Sequence, residues 1–368
     1  MQLARRLHVA LTLLLLLTPS GVAADELTGT WTGQLRGNMH YFWERSTRVV
    51  LPEGGVQLES PDGLRLGADL LVDVITSASI AFAGSSEDAL FTEFRYEPQL
   101  SIGKEFRLDR AKLDLTALAR YSTENDYTSY SGGGIARLAL NQDNTVLGVT
   151  VVGIHDEIRA SNNAGFRETL DGWTAGVTFE QVLSRTTVAV LGYQIGALKG
   201  FLGNAYRRVL RDGAPVGESP PRARTRHTAY GRLMTYVPPI DGAVHLLVRA
   251  YTDTWDMLAI NPEVRFYKEF GDFVMARLRY RYYAQNDAGF FQDVYAADWP
   301  GAMTADPKLR AFQAHLLGLR VDVDTPFLDG SFLDFASDSS IYLSVDRNFT
   351  GISYGAALVG TAGGVLRF

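Results

Sequence analysis

Side chains that could carry out a reaction are scattered in this sequence. No two histidines have the His-x-x-x-His spacing, and no pair has the Glu-x-x-His spacing, that would bring metal ligands together on a helix. The glycines of residues 131–134 fit a strand that its neighbours approach closely rather than a phosphate-binding loop. The histidines beyond the N-terminal segment are His40, His155, His227, His245 and His315. We therefore predict no catalytic centre, no metal site and no cofactor.

Paired carboxylates are the arrangement closest to acid–base chemistry. Asp69 and Asp73 are four residues apart, and so are Glu93 and Glu97. Residues an even number apart share one face of a strand, and Arg95 lies on that face between the two glutamates. An ion-pair network accounts for these carboxylates better than a catalytic pair, so we expect no enzymatic activity.

Arginines recur at every second position in residues 274–283. Arg277, Arg279 and Arg281 alternate there with apolar and aromatic residues such as Leu278 and Tyr280. On a strand, the arginines would share one face and the apolar residues the other. Facing the centre of a bilayer, each arginine would cost about 2–4 kcal/mol. We therefore expect the arginines to face water inside a barrel, with Glu263 as a neighbouring partner, and the apolar residues to face lipid.

Alternation of this kind runs along most of the chain and predicts strands. Short turns and longer connections largely alternate between the strands, with residues 324–338 as an exception, which is typical of an outer-membrane barrel. We predict an all-β fold, a transmembrane antiparallel up-and-down β-barrel of about sixteen strands; the alternative is a secreted β-sandwich. The predicted strands are 37–45, 47–58, 64–75, 90–103, 111–123, 128–140, 145–156, 172–183, 186–198, 226–238, 242–254, 257–270, 272–285, 310–323, 339–347 and 353–368.

The N-terminal segment has the pattern of a secretory signal. Arg5 and Arg6 precede an apolar run that is too short to span a bilayer, and small residues end at Ala24. We predict a signal peptide over 1–24 and a transmembrane β-barrel over 25–368. The sequence contains no cysteine and has a net charge of −6. It therefore lacks disulfides, and it offers no basis for binding nucleic acid.

The C-terminal strand resembles the signal that the barrel assembly machinery recognises. Leu366 and Phe368 lie on one face, and Phe368 is the last residue. The match is partial, because Ala362 and Gly364 stand where larger apolar residues are common. We predict that Leu366 and Phe368 form a barrel-assembly signal.

Residues 67–79 and 91–97 resemble two strand motifs of an uncharacterised bacterial outer-membrane β-barrel family, of the domain-of-unknown-function type. One is the strand end Asp-x-Ile-Ser/Thr-x-Ala-Ser, matched from Asp73 to Ser79, and the other is Glu-x-Arg-x-Glu, matched from Glu93 to Glu97. The resemblance implies a barrel and no known activity. It places Asp73, Thr76, Ser77 and Ser79 at the outer rim of a strand, and Glu93, Arg95 and Glu97 in the lumen.

Two long connections have contrasting compositions. Residues 206–226 carry several arginines, which could bind lipopolysaccharide phosphate or could be simply solvated. Residues 289–299 are aromatic and acidic, and could form a constriction at the mouth or dock a partner.

The function that fits these features best is an outer-membrane pore for passive passage of small polar or charged solutes in a Gram-negative bacterium. The alternatives are a non-conducting outer-membrane scaffold that anchors a periplasmic or extracellular partner and, less favoured, an outer-membrane enzyme. The expected partners are outer-membrane lipid, lipopolysaccharide and the barrel assembly machinery. The predicted pore-lining residues are Asp69, Asp73, Glu93, Arg95, Glu97, Asp114, Arg120, Glu263, Arg265, Arg277, Arg279 and Arg281.

Overall fold

The computed structural model describes residues 31–44, 47–78, 90–351 and 356–368. The predicted signal peptide and Ser79 of the strand motif lie outside these residues. Among the described residues, sixteen strands form one closed antiparallel barrel and two more form a separate hairpin. No helix in this part of the chain is long and apolar enough to cross a membrane.

The barrel follows the order of the sequence. Each strand pairs with its neighbours along the chain, and the hairpin is inserted in the connection between β9 and β12. The hairpin strands are β10 (Arg208–Arg211) and β11 (Ala214–Gly217). The barrel strands are β1 (Thr32–Trp43), β2 (Thr47–Glu59), β3 (Leu64–Ala78), β4 (Leu90–Leu108), β5 (Ala111–Thr123), β6 (Tyr127–Leu140), β7 (Thr145–Ala160), β8 (Asn163–Ser184), β9 (Thr187–Gly200), β12 (Ala223–Val237), β13 (Gly242–Asp253), β14 (Leu258–Phe270), β15 (Val274–Gln285), β16 (Phe312–Asp324), β17 (Ser340–Thr350) and β18 (Ala357–Arg367).

The first and last strands close the sheet. β1 pairs with β18 along ten residues, from Gln34 opposite Arg367 to Trp43 opposite Leu358. Beyond the paired strands, the amide N of Gly33 donates to the carbonyl O of Phe368 at 2.7 Å, and the amide N of Phe368 donates to the carbonyl O of Gly33 at 2.9 Å. The predicted fold, a closed antiparallel barrel of about sixteen strands, is confirmed.

The two faces of the wall differ in chemistry, as the alternation predicts. Large apolar side chains point away from the barrel axis and are exposed, among them Leu100 at 64%, Leu191 at 60% and Leu278 at 57%. Charged side chains at the intervening positions face the interior and form ion pairs there. A β-sandwich would bury its apolar faces between two sheets, so the alternative fold is wrong.

The connections give the barrel two unlike ends. One end, called here the turn end, has tight turns at 60–63, 109–110, 141–144, 185–186, 238–241 and 271–273. Residues with positive φ make several of these turns, including Asp241 at 46° and Gly271 at 65°. The other end, called the long-loop end, carries the connections 201–222 and 286–311.

Several predicted strand boundaries were wrong. The sequence predicts a long connection between 157 and 171, but β7 and β8 extend through it and leave only residues 161–162 between them. The polar composition of this stretch resembles a loop, although its residues pair as strands with a register shift at Arg159 and Ala160. The first strand also begins five residues earlier than predicted, at Thr32 instead of residue 37.

Candidate functional site

The barrel interior is the candidate site, and ion pairs line the wall built by the first strands. Each of four predicted acids contacts an arginine that projects from a different strand. The acid of each pair belongs to the predicted pore-lining set, but only two of the arginines do. The pairs are Arg36–Asp69, Arg95–Asp73, Arg120–Glu97 and Arg65–Asp114. The sequence analysis did not include Arg36, because the first strand was predicted to start at residue 37.

Water reaches these interior side chains. The arginine side chains retain 40% exposure at Arg36, 37% at Arg95 and 41% at Arg120, although all three face the inside of a closed barrel. A packed core would leave such groups almost fully buried. The exposure therefore indicates a solvated interior next to this wall.

On the opposite wall, an ion pair crosses a whole strand. Arg279 of β15 contacts Asp346 of β17 at 2.7 Å, and β16 lies between them. Gly318 of β16 stands opposite both residues in register, and a Cβ atom on it would overlap the Asp346 carboxylate. The pair therefore depends on a residue without a side chain between its partners. The sequence analysis missed Asp346, although it alternates with apolar residues in its strand.

The remaining predicted residues of this wall leave positive charge unbalanced. Arg265 contacts Glu263 on its own strand, and Glu263 lies opposite Arg281 in register. In strands β12 to β15, five inward arginines make no ion pair with any carboxylate in the described part of the chain. They are Arg226, Arg232, Arg249, Arg277 and Arg281, of which only the last two were predicted. The strands from β12 to β15 therefore present an excess of guanidinium groups to the interior.

The two long connections fold against each other at the long-loop end. Val209 of the hairpin packs with Tyr295 and Met303 of the 286–311 connection in a buried apolar cluster. The Arg211 guanidinium donates to the carbonyl O of Ala297 at 2.7 Å and to that of Trp299 at 3.3 Å. We call this assembly of residues 201–222 and 286–311 the cap. The aromatic connection thus docks on the basic one.

The arginines of the basic connection are mostly engaged within the chain. Arg207 contacts Glu218 at 3.1 Å and Asp306 at 3.2 Å. Arg222 contacts Glu168 at 2.6 Å. These ion pairs and the carbonyl contacts of Arg211 show that the arginines build the cap. Among the described residues of this connection, Arg208 is exposed and makes no ion pair.

An acidic cluster lies at the rim of the long-loop end, beside the cap. Glu124, in the connection between β5 and β6, has its pKa raised to about 7, first by burial and then by the charges of Glu93 and Asp126. Asp126 accepts a hydrogen bond from the Tyr206 hydroxyl of the cap. The same hydroxyl accepts one from the amide N of Ser161 at 2.8 Å. The cap is therefore tied to the rims of two neighbouring hairpins.

The histidines do not form a reactive group. His155 contacts Asp171 at 2.7 Å and His315 contacts the Tyr280 hydroxyl at 2.9 Å, both on the outer face. Among the described residues, no group of three or more His, Asp or Glu side chains is arranged to hold a metal ion.

A Gly-x-Ser-x-Gly pentapeptide that sequence reasoning missed runs over residues 351–355. Its serine, Ser353, lies outside the described residues. The pentapeptide stands between strands β17 and β18, whereas a nucleophile elbow joins a strand to a helix.

The predicted site residues thus occupy two places. All twelve predicted pore-lining residues belong to barrel strands, and those that make ion pairs do so along the interior face of the wall. Phe368 lies at the turn end, where its ring covers Gly33. The side chains of Thr76 and Ser77 in the strand motif are outside the description. The roles of the pore-lining residues and of the assembly signal at Leu366 and Phe368 remain predictions.

Similar folds occur among solved structures, at low sequence identity. OccD3 (OpdP) of Pseudomonas aeruginosa is 9% identical, with a TM-score of 0.47 over 93% of this chain and 92% of that one. OccAB1 of Acinetobacter baumannii is 11% identical, with a TM-score of 0.42 over 92% and 96%. OpdK of Pseudomonas aeruginosa, solved with vanillate, is 11% identical, with a TM-score of 0.44 over 92% and 99%.

Comparison of the sequence with known families assigns the chain to one of them. No protein of curated function matches it. Residues 83–339 match the family described as "Protein of unknown function (DUF3570)". This match covers most of the chain and agrees with the resemblance found in the strand motifs, although the motifs themselves are not tested by it. The chain belongs to the DUF3570 family of proteins of unknown function.

Proposed function

We propose that this protein is an outer-membrane β-barrel that forms a water-filled pore for small polar or charged solutes. One observation carries the proposal: a closed barrel of sixteen strands has an apolar exterior and charged interior side chains that remain exposed to water. Barrels of this size enclose a channel unless loops or side chains fill it.

The exterior supports a membrane location. Leucines and other large apolar residues on the outer face would be costly in water, whereas hydrocarbon accepts them. The long-loop end corresponds to the extracellular side and the turn end to the periplasm, which is the usual orientation of such barrels. A signal peptide over residues 1–24 provides for export.

The interior charges favour anions. Arg226, Arg249 and Arg281 lie in the half of their strands nearest the long-loop end and have no ion-pair partner among the described residues. Arg281 lies close enough to Arg249 and Arg279 for their charges to interact. Unpaired guanidinium groups in a confined space raise the local concentration of anions. We therefore propose that small anions, carboxylates among them, pass more readily than cations.

A planar bilayer recording tests this function. The purified protein should produce discrete conductance steps, and a potassium chloride gradient should give a reversal potential of the sign expected for chloride preference. Arg249→Gln combined with Arg281→Gln should shift this potential toward cation selectivity. Arg107→Gln is the matched control, because Arg107 lies at the turn end and is 85% exposed. A folded protein without any conductance would refute the proposal.

A non-conducting scaffold is the second candidate, and the cap favours it. The cap has its own buried cluster and covers part of the long-loop end, so it could present a fixed surface to an extracellular partner. Recovery of a stoichiometric partner from membranes, lost when residues 206–217 are deleted, would support this function. Conductance that appears only after the deletion would indicate that the cap closes the pore.

A further inference from the structure

A row of outward-facing residues crosses the line where the barrel closes. Trp43 of β1 lies opposite Arg48 of β2 on one side and opposite Leu358 of β18 on the other. Leu358 in turn lies opposite Arg347 of β17. Residues directly opposite each other in an antiparallel sheet point to the same face. Arg48, Trp43, Leu358 and Arg347, here called the seam row, therefore share the exterior with the exposed side chains of Tyr41 and Phe349.

The seam row is close to the long-loop end of the wall. Arg48 is the second residue of β2, Trp43 is the last residue of β1, and Arg347 is three residues from the end of β17. In the orientation proposed above, this level is that of the outer leaflet headgroups. Aromatic residues at such a level form the girdle typical of outer-membrane barrels.

The two arginines of the seam row have no acidic partner in the described part of the chain. Arg347 lies between two rings, with its guanidinium carbon 5.8 Å from the centroid of Trp43 and 5.9 Å from that of Phe349. Arg48 is exposed and makes no ion pair. Glu44, the acid nearest in sequence, has its side chain hydrogen-bonded to Thr47.

Two other charged groups on the outer face have protein partners, whereas Lys199 makes no ion pair among the described residues. His155 contacts Asp171 at 2.7 Å, and Lys104, near the turn end, contacts Asp62 at 2.6 Å. A pair of unneutralised arginines on an apolar surface therefore calls for an anion from outside the chain. Arginine binds phosphate in a planar, bidentate geometry, and the flanking aromatic rings suit a molecule that also has an apolar part.

The distance between the two arginines indicates which kind of anion would fit. Three strand intervals separate Arg48 from Arg347, which places their Cα atoms about 14 Å apart. Two long side chains at that separation could hold two phosphates at the ends of one headgroup. A phospholipid such as phosphatidylglycerol has only one phosphodiester, whereas lipid A carries a phosphate at each end of a disaccharide.

We propose that the seam row is a binding site for lipid A, with Arg48 and Arg347 each holding one phosphate and Trp43 lying under the sugar between them. The proposal rests on the outer-membrane location proposed above. It does not require the barrel to conduct. The proposal also places the lipopolysaccharide contact on the outer wall. The sequence had suggested the basic connection, whose arginines build the cap.

Native mass spectrometry of the detergent-solubilised full chain tests the site. Bisphosphorylated lipid A should bind the unmodified barrel at a ratio of one to one. Arg48→Gln combined with Arg347→Gln should weaken this binding at least tenfold, and Lys substitutions at both positions should restore only part of it, because an ammonium group keeps the charge but not the bidentate geometry. Lys199→Gln is the matched control, because Lys199 faces outward near the long-loop end of β9 without an ion pair among the described residues. Equal binding by the double Gln variant and the unmodified barrel would overturn the proposal.

Further probes identify the source of the phosphate. Dephosphorylated lipid A and phosphatidylglycerol should each bind at least tenfold more weakly than bisphosphorylated lipid A. Displacement of lipid A by an equal concentration of inorganic phosphate would overturn the lipid assignment. Each variant is first checked for folding by the mobility difference between unheated and boiled samples. Lipid A binding without conductance would refute the pore and leave the site standing, whereas conductance without lipid A binding would do the reverse.

Discussion

Small residues decide where interior carboxylates can lie. A Cβ atom on Gly318 would overlap Asp346, and one on Gly55 would overlap Asp69. Both acids pair with an arginine two strands away, so each ion pair passes over the strand that carries the glycine. The interior charge pattern therefore depends on uncharged positions as much as on the ionised residues.

The Arg279–Asp346 pair should be sensitive to a single methyl group. Gly318→Ala pushes a carbon atom into the Asp346 carboxylate, and the strain together with the displaced ion pair should destabilise the barrel by about 1–3 kcal/mol. Thermal unfolding in detergent measures the effect. Gly360→Ala is the control, because nothing lies within 4 Å of a Cβ atom at that position. Equal unfolding temperatures for the two variants would contradict this account.

Glu124 should make the stability of the rim depend on pH. Its pKa is about 7 in the folded protein, mainly because of burial, compared with an ordinary value of 4.5. Between these two pH values the folded state holds a proton that the unfolded state has lost, so stability should fall as the pH rises from about 4.5 to 7 and level off above 7.

Comparison of unfolding temperatures at pH 5 and pH 8 measures this effect. Glu124→Gln cannot ionise, so the variant should lose the part of the decrease that Glu124 causes. Identical pH profiles for the variant and the unmodified protein would show that Glu124 has no such role.

Alternation in the sequence predicts which residues face the interior, but not their partners. Arg277, Arg279 and Arg281 were assigned to one face from their spacing alone. The partner of Arg279 is Asp346, which is 67 residues later in the sequence and two strands away, whereas the predicted partner, Glu263, pairs with Arg265. The register of the neighbouring strands decides such contacts, and a single sequence does not encode register in a readable form.

Among the structural elements, the cap is the least regular and the most dependent on specific polar contacts. Its hairpin has only two four-residue strands, and an isolated hairpin of that length is not stable in water. Packing of Val209 against Tyr295 and Met303 supplies the missing stability. Arg211 adds charge-assisted hydrogen bonds to the carbonyl groups of Ala297 and Trp299.

Loss of the Arg211 side chain should loosen the cap without unfolding the barrel. Arg211→Ala leaves two carbonyl groups without their donor, at a cost of about 1.5–3 kcal/mol for hydrogen bonds to a charged group. Limited proteolysis should then cut residues 286–311 faster. Arg208→Ala is the matched control, since Arg208 lies on the same hairpin, is exposed and forms no ion pair among the described residues. Equal cleavage rates would refute the role of Arg211.

The sequence could indicate that residues 206–226 are basic and residues 289–299 aromatic, but not that the two connections meet. Their contacts are long-range and follow no periodicity. The extension of β7 and β8 through residues 157–171 was not predicted, for a related reason. A polar stretch that pairs as strands has the composition of a loop.

At the scale of the whole molecule, closure of the barrel rests on contacts between its first and last strands. Phe368 bonds to Gly33 through both backbone groups, and its ring lies where a side chain on Gly33 would be. Closure removes the two edges that an open sheet would expose.

Phe368→Ala should therefore slow barrel formation severalfold, because it removes apolar contact at the closing pair while leaving the backbone bonds possible. Folding into lipid vesicles, followed by the mobility of unheated samples, measures the rate. Phe332→Ala serves as control, since the Phe332 side chain is 91% exposed in the connection between β16 and β17. If both variants fold at the unmodified rate, Phe368 is not needed for closure.

The seam row has a consequence for quality control during biogenesis. Arg48 and Arg347 come from opposite ends of the chain and become neighbours only when β1 meets β18. An unfinished barrel would offer one arginine near each free edge, and the two would be too far apart to hold one lipid A headgroup. A glycolipid that requires both arginines would therefore bind only after β1 and β18 have paired, and its binding would distinguish a finished barrel from an unfinished one.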